Sequence, residues 1–215
     1  MSRRKISASS ESWPIQGSFR ISRGAKTAAE VVVVEITENG ITGRGECVPY
    51  ARYGESIRSV LGQVTSIRDY INDGLTREGL LTVMPSGAAR NAVDCALWDL
   101  EAKTSGKTIA ELAKIPAPGP TITAYTLSLD TPEKMGEAAK AQSHRPLIKL
   151  KLAGTGDVER VAAVRKAAPK TRLIVDANEA WTADMMREYC PKMADLGVEL
   201  IEQPLPAGED SVLGD

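Results

Sequence analysis

The second half of the chain alternates short apolar segments with helical segments, and this alternation constrains the fold more than any other feature. The predicted strands are residues 121–129, 147–152, 172–176 and 198–202, with helices beginning at Thr131 and spanning 157–168 and 182–197 between them. Strands that alternate with helices of this length imply βαβ units, and therefore a parallel sheet. The crossover connections are expected to be right-handed.

The first half of the chain predicts an antiparallel meander. Residues 29–36, AEVVVVEI, form a β-branched run that is too short for a typical helix. Asn39 and Gly40 follow, and Asn-Gly is the strongest short hairpin signal because both residues tolerate positive φ. Residues 41–48 then return as a strand, and we expect a further strand at 7–16 to pair beside them.

Helical periodicity follows the meander. Apolar residues recur at helical spacing from Ser56 to Ile71. Thr76 is expected to cap a short helix. Residues 88–103 predict a long helix from their alanine and leucine content, and a short helix is expected at 108–115.

A breaker cluster, PAPGP, lies between the two halves at residues 116–120. We therefore predict two domains, at 1–118 and 119–215. The first domain is expected to be α+β, with the meander and its helices. The second is expected to be α/β.

Composition narrows the classes of function. The 215 residues include 27 Lys and Arg against 28 Asp and Glu, for a formal net charge of -1. This balance lacks the basic surface of a nucleic-acid-binding or membrane-surface protein. The three cysteines suit a reducing compartment, no apolar run is long enough to span a bilayer, and MSRRKIS lacks the apolar segment of a secretory signal. We expect a cytoplasmic protein that binds neither nucleic acid nor membrane.

Polar residues close three of the predicted strands in the second half. Lys149 and Lys151 are two residues apart, so on a strand both side chains point to one face. Asp176 ends RLIVD, 25 residues after Lys151, and Glu202 ends VELIE, 26 residues after Asp176. Each interval is one βα unit. These groups are therefore expected at the C-terminal rim of the strands, where βα barrels build their active sites.

A cluster of this kind has a defined chemistry. Two carboxylates on neighbouring strands repel each other unless a cation lies between them. Oxygen ligands select a hard ion, and Mg²⁺ takes one or two protein carboxylates together with substrate and water. A lysine close to a divalent cation and a second lysine has its charged form disfavoured, so its amine can act as a base. Such a pair can remove a proton α to a carboxylate or a carbonyl.

Each of these residues also has a simpler explanation from sequence alone. Lys149 and Lys151 suit a solvated edge strand, because edge strands use lysine against aggregation. Asp176 suits the N-cap of the following helix. Glu202 suits a loop residue, because Gln-Pro follows it.

The motifs LIKLKL, IVDANEAW and IEQPLP together resemble the enolase superfamily, in its mandelate racemase and muconate lactonizing enzyme branch. Four blocks of the first half resemble the dipeptide epimerases of the L-Ala-D/L-Glu type. They are SWPIQGSFRISRGAKT, VVVVEI, GECVPYARYGES and AARNAVDCALWDLEAK. The resemblance covers essentially the whole chain. It implies an α+β capping domain followed by a truncated α/β barrel of the (β/α)7β type, represented by its first four strands.

The resemblance implies roles for single residues. Lys151 is similar to the catalytic base on one face of the substrate, and Lys149 to the partner that contacts the substrate carboxylate. Asp176 and Glu202 are similar to the first two ligands of Mg²⁺, the implied cofactor.

Three further residues complete the implied site. Thr126 matches a substrate-contacting threonine, with an ordinary strand residue as a nearly equal alternative. Arg23 resembles an arginine that meets an acidic substrate side chain, with a solvated loop residue as the alternative. Asn178 follows the metal-binding strand and is expected to contact the ligands.

The resemblance also defines what this sequence lacks. The family barrel has eight strands, and Asp215 comes soon after the fourth. A third metal carboxylate, an opposing lysine and a late Asp-x-Asp element are expected on the later strands. We therefore expect an N-terminal part of an epimerase, inactive or poorly folded when isolated.

Three functions stand at this point. The first is Mg²⁺-dependent epimerisation of a dipeptide such as Ala-Glu, in murein-peptide metabolism, by abstraction of the α-proton of the C-terminal residue through a metal-stabilised enolate. The second is another reaction of the same branch, by a cycloisomerase or an o-succinylbenzoate synthase. The third is a non-catalytic fragment. The expected partner is a small dipeptide, and a homo-oligomer is left open.

Overall fold

The computed structural model describes residues 4–21 and 24–214. The chain divides into two compact units, the first of Met1–Pro14 and Ala28–Gly119, the second of Ile15–Thr27 and Pro120–Asp215. Each unit has an apolar core of its own. No helix within the described ranges is long and apolar enough to cross a membrane.

Three strands form the first sheet, in the order β1-β2-β3. They are β1 (Lys5–Ile21), β2 (Gly24–Glu38) and β3 (Ile41–Cys47). β2 and β3 are antiparallel, with Glu38 opposite Ile41. Asn39 and Gly40, with φ values of 51° and 81°, form the two-residue turn between them. The predicted hairpin is confirmed.

The position of β1 differs from the prediction. The sequence suggested a strand beside β3, whereas β1 lies next to β2. β1 ends at Ile21 and β2 begins at Gly24, and so short a connection joins strands that are neighbours in the sheet. At 17 residues, β1 is also longer than the predicted strand.

Five α-helices lie in the first unit. They are α1 (Ile57–Ser66), α2 (Arg68–Asn72), α3 (Arg77–Val83), α4 (Ala88–Ser105) and α5 (Ile109–Ala113), with a short 3-10 helix at Ala51–Tyr53. The hydroxyls of Ser56, Thr76 and Thr108 accept N-cap hydrogen bonds at the starts of α1, α3 and α5. The single helix predicted from Ser56 to Ile71 is two helices, because Ile67 leaves helical geometry and buries its side chain in the core.

α4 packs closely on β3, and two glycines permit the approach. A Cβ atom at Gly43 would overlap the carbonyl oxygen of Ala96, and one at Gly45 would overlap that of Ala92. Val32, Val34 and Ile36 of β2 lie in the same core and are fully buried. The helix and the sheet therefore meet backbone to backbone.

Four parallel strands form the second sheet, in the chain order β4-β5-β6-β7. They are β4 (Tyr125–Leu127), β5 (Leu147–Lys151), β6 (Arg172–Asp176) and β7 (Val198–Glu202), alternating with α6 (Pro132–Ala141), α7 (Asp157–Ala167) and α8 (Ala183–Asp195), and a 3-10 helix lies at Asp210–Gly214. This is the order of successive βα units in a barrel wall. The strand predicted at 121–129 is shorter, because only residues 125–127 pair with β5.

β5 is an interior strand of this sheet. It pairs with β4 on one side and with β6 on the other. Ile148 and Leu150 are fully buried in the core with Val161 and Val164 of α7. The edge-strand explanation for the lysines of β5 is therefore wrong.

Candidate active site

β5 presents two lysines on one face of the sheet. Ile148 and Leu150 point into the core, and Lys149 and Lys151 alternate with them. Successive strand side chains point to opposite faces, so both ammonium groups lie on the face away from that core. Their side chains are only 19% and 13% exposed.

Two carboxylates lie in register with these lysines. Lys151 is paired with Asp176, and Asp176 with Glu202, across β5, β6 and β7. In-register side chains of parallel neighbours point to the same face. The three residues therefore form a row at the C-terminal ends of the strands, as their spacing along the sequence predicts.

The four charged groups form a compact cluster, which we call the rim cluster: Lys149, Lys151, Asp176 and Glu202. Asp176 Oδ2 accepts a hydrogen bond from Lys151 Nζ at 2.5 Å and lies 3.3 Å from Lys149 Nζ. Lys149 Nζ also donates to Glu202 Oε2. The two positive and two negative charges balance.

Burial and ion pairing act in opposite directions on the titration of this cluster. Burial raises the pKa of Asp176, but hydrogen bonds from Lys151 and the Asn178 N–H, with the lysine charges, outweigh it and hold the pKa below its usual value. Burial lowers the pKa of Lys149, but its hydrogen bond to Glu202 and the charge of Asp176 raise the pKa above its usual value. Asp176 is therefore ionised and Lys149 protonated at neutral pH.

The carboxylates of Asp176 and Glu202 suit a hard divalent cation that takes few of its ligands from the protein. Asp176 is 1% exposed, whereas the side chain of Glu202 is 42% exposed. One carboxylate is thus enclosed by the protein and the other is accessible. Mg²⁺ accepts such a set, because water and substrate oxygens complete its shell. Within residues 4–21 and 24–214, no group of three or more His, Cys, Asp or Glu side chains could hold a metal ion.

The structure places two further predicted residues beside the rim cluster, one on β4 and one in the loop after β6. Thr126 is paired with Lys149, so it lies on the same face one strand away. Asn178 is buried, and its backbone N–H donates to Asp176 Oδ1 at 2.9 Å. Arg23 lies outside the described residues, so its predicted role stays a prediction.

The sequence prediction did not identify Asp157, a fully buried carboxylate. It accepts hydrogen bonds from the N–H groups of Ala153 and Gly154 and from the indole of Trp181. The only available signal was an acidic residue in the first turn of a helix, which is common and normally exposed. Its burial depends on donors from other loops.

Comparison with known families agrees with this architecture. Residues 3–113 match the mandelate racemase / muconate lactonizing enzyme N-terminal domain, and residues 133–214 match the enolase C-terminal domain-like family. The chain belongs to the mandelate racemase and muconate lactonizing enzyme family. The first match covers the meander and its helices, and the second covers β5, β6 and β7.

Relatives of this family include two with high identity. The chain is 47% identical to the L-Ala-D/L-Glu epimerase of Escherichia coli K12 over 212 residues, covering 98% of this chain and 66% of that protein. It is 44% identical to the N-acetyl-D-glutamate racemase of a Pseudoalteromonas species, covering 85% of this chain and 58% of that protein. The chain thus spans somewhat less than two thirds of the length of these relatives.

Solved structures show the same likeness. An enolase family member from Agrobacterium tumefaciens, with bound sodium and L-Ala-L-Glu, superposes with a TM-score of 0.94 at 50% identity, covering 98% of this chain and 64% of that one. The dipeptide epimerase of Enterococcus faecalis, complexed with Mg and L-Leu-L-Tyr, superposes at 0.89 with 27% identity, covering 99% and 64%. A capping domain and part of an α/β barrel are therefore the fold of this chain.

Proposed function

We propose that this protein is a Mg²⁺-dependent epimerase of dipeptides of the L-Ala-D/L-Glu type. The observation that carries the proposal is the row of Lys151, Asp176 and Glu202, in register on three adjacent strands. The relatives named as epimerases support the reaction, and the Enterococcus structure supports the metal.

Each residue of the rim cluster has a separate task in this proposal. Lys151 removes the α-proton of the C-terminal residue on one face of the dipeptide. Lys149 holds the substrate carboxylate with its ammonium group. Asp176 and Glu202 hold Mg²⁺, which when bound supplies positive charge near the carboxylate oxygens where negative charge develops. Thr126, Arg23 and Asn178 complete the proposed site.

One part of the inversion lies outside the rim cluster. The rim cluster provides a base for one face of the α-carbon, and inversion needs a proton on the other. We therefore propose that these 215 residues do not invert the dipeptide by themselves.

We also propose a location in the cytoplasm and a role in murein-peptide metabolism. Cys47, Cys95 and Cys190 are free thiols, which supports a reducing compartment such as the cytoplasm. An Ala-Glu epimerase there fits murein-peptide metabolism. A domain boundary near residue 118 and a homo-oligomer stay predictions.

Deuterium wash-in at the α-carbon tests the reaction. The full gene product is incubated in D₂O with Mg²⁺ and either L-Ala-L-Glu or N-acetyl-L-glutamate, and proton NMR follows the α-proton signal. We expect faster exchange with the dipeptide. Faster exchange with N-acetylglutamate would assign the racemase activity of the Pseudoalteromonas relative instead. Exchange with neither compound would contradict the proposal.

Lys151→Ala tests the base. We expect α-proton exchange from one epimer of Ala-Glu to fall by about 100-fold or more, because a general base contributes at least that much. Binding of Mg²⁺ should persist. Lys166→Ala, at an exposed position on α7, is the matched control and should leave the exchange rates of both epimers unchanged. Wild-type exchange from both epimers in Lys151→Ala would assign the base elsewhere.

A further inference from the structure

A carboxylate without any exposed surface lies at the start of α7, apart from the rim cluster. Asp157 is 0% exposed. A buried charge is costly unless hydrogen bonds satisfy it. Ala153 N–H and Arg160 Nη1 donate to its Oδ1 at 3.0 and 2.8 Å, and Gly154 N–H and Trp181 Nε1 donate to its Oδ2, both at 2.7 Å. We call Asp157 and these four donors the Asp157 hub.

Three of the four donors of the hub come from two loops at the C-terminal ends of the strands. Ala153 and Gly154 belong to the loop that follows β5 and begins just after Lys151. Trp181 belongs to the loop after β6. Arg160 lies on α7, but its Nε donates to the carbonyl of Asp130 at 3.0 Å, in the loop after β4.

The loop after β7 joins the hub through Trp181. The backbone N–H of Trp181 donates to Pro204 O at 3.0 Å, while its indole donates to Asp157. Nearer the strands, Ala177 N–H donates to Glu202 O at 3.1 Å. The indole of Trp181 is 1% exposed and meets the ring of Tyr189 edge-on, so its orientation is fixed by packing.

The hub therefore connects the backbone beyond Lys151 with the backbone beyond Asp176 and Glu202. Lys151 is the last residue of β5, and the N–H groups held by Asp157 lie two and three residues later. A short loop fixed at its far end restricts the backbone at its near end. A displacement of about 1 Å at a reacting group can cost about 100-fold in rate.

We propose that Asp157, acting through the indole of Trp181, is a positioning residue that sets where the Lys151 amine stands relative to the carboxylates of β6 and β7. This inference rests on the proposed epimerase activity. It assigns no contact between Asp157 and substrate.

Trp181→Phe is the decisive variant, because it removes the indole N–H and keeps an aromatic ring against Tyr189. Deuterium wash-in is measured separately for L-Ala-L-Glu and L-Ala-D-Glu with the full gene product and Mg²⁺. We expect about a tenfold fall for the epimer that Lys151→Ala identifies, and a smaller fall for the other. A loss of folded protein lowers both rates equally, so the ratio of the two rates reports on position and not on stability.

Asp157→Asn is the second variant and should change the same ratio further. The amide nitrogen of the asparagine would face an N–H donor whose hydrogen bond a carboxylate oxygen accepts in the wild-type protein. Trp98→Phe, which alters a ring stacked 3.4 Å from the Arg77 guanidinium in the first unit, is the control and should leave the ratio unchanged. An unchanged ratio in Trp181→Phe overturns the inference, even if Asp157→Asn does not fold. Absence of exchange in the wild-type protein instead overturns the proposed function.

Discussion

Asp176 and Glu202 are carboxylates of one row, yet their surroundings differ. Asp176 is almost fully buried, and its Oδ2 faces both lysines while Oδ1 accepts a backbone N–H. Glu202 has one ion-pair partner, Lys149, and a side chain that is 42% exposed. Loss of charge at Asp176 leaves two lysines without their shared anion, so it disturbs the cluster more than the same change at Glu202.

The proposed metal ligands are tested by stability. We expect Mg²⁺ to raise the melting temperature of the wild-type protein, and Asp176→Asn and Glu202→Gln each to abolish that rise, because a ligand stabilises only the state that binds it. Thermal unfolding with Mg²⁺ or with EDTA measures the difference. Glu209→Gln, at an exposed loop position, is the control and should keep the rise. A full rise in either ligand variant would remove that residue from the proposed metal site.

Cys47 gives a pH-dependent prediction. Burial, with the charge of Glu55, raises the pKa of its thiol from 9.0 to about 11. Because the folded state retains this proton more tightly, its contribution to stability is complete below pH 9 and is lost as the pH rises toward 11. A variant that keeps only Cys47 should react with a thiol reagent at pH 8 only as fast as it unfolds. A variant that keeps only Cys95, which is exposed, should react at once.

At the scale of elements, α4 and β3 are in close backbone contact. It depends on the absence of side chains at Gly43 and Gly45, where a Cβ would meet helix backbone rather than a flexible side chain. Backbone cannot move aside without shifting the whole helix. The glycines of ITGRGEC are therefore packing residues.

Gly45→Ala should lower the free energy of unfolding by about 1–3 kcal/mol, as overpacking does. Gly62→Ala is the matched control, since it lies exposed on α1 with open space around it. It should raise the free energy of unfolding by about 0.4–1 kcal/mol, because alanine restricts the unfolded chain. Urea titration measures both. Equal effects of the two substitutions would show that the close approach does not matter.

The elements differ in how well sequence predicts them. The positions of β5, β6 and β7 can be predicted from apolar runs and from the spacing of βα units. The rim cluster can be predicted because these strands end in polar residues. The neighbour of β1 and the short span of β4 depend on pairing, which local pattern does not encode. The burial of Asp157 depends on donors up to 24 residues away, such as Trp181, so no local signal reveals it.

At the scale of the whole molecule, each unit buries its own core, but the second sheet is open. Among the described residues β4 and β7 each pair on one side only. Leu200 of β7 is 51% exposed and is paired with Ile174, which places it on the face of the lysines. An unpaired edge beside an exposed apolar side chain is a site for association.

The 215 residues should therefore self-associate with rising concentration. Sedimentation velocity at a series of concentrations measures this. Leu200→Lys should reduce association, because a charge at an edge strand opposes pairing. Leu81→Lys, at a position of α3 that is 60% exposed, should not. A chain that stays monomeric at high concentration would contradict this prediction.

The Asp157 hub has a consequence for how this protein can change over generations. Two loops donate to Asp157 directly, and two more are joined to it through Arg160 and Trp181. A substitution in one of these loops therefore changes the effect of a substitution in another. Effects of changes in such a network do not add. Grafting one of these loops from a relative should therefore fail more often than grafting all of them together, and the loops should be inherited and redesigned as a set.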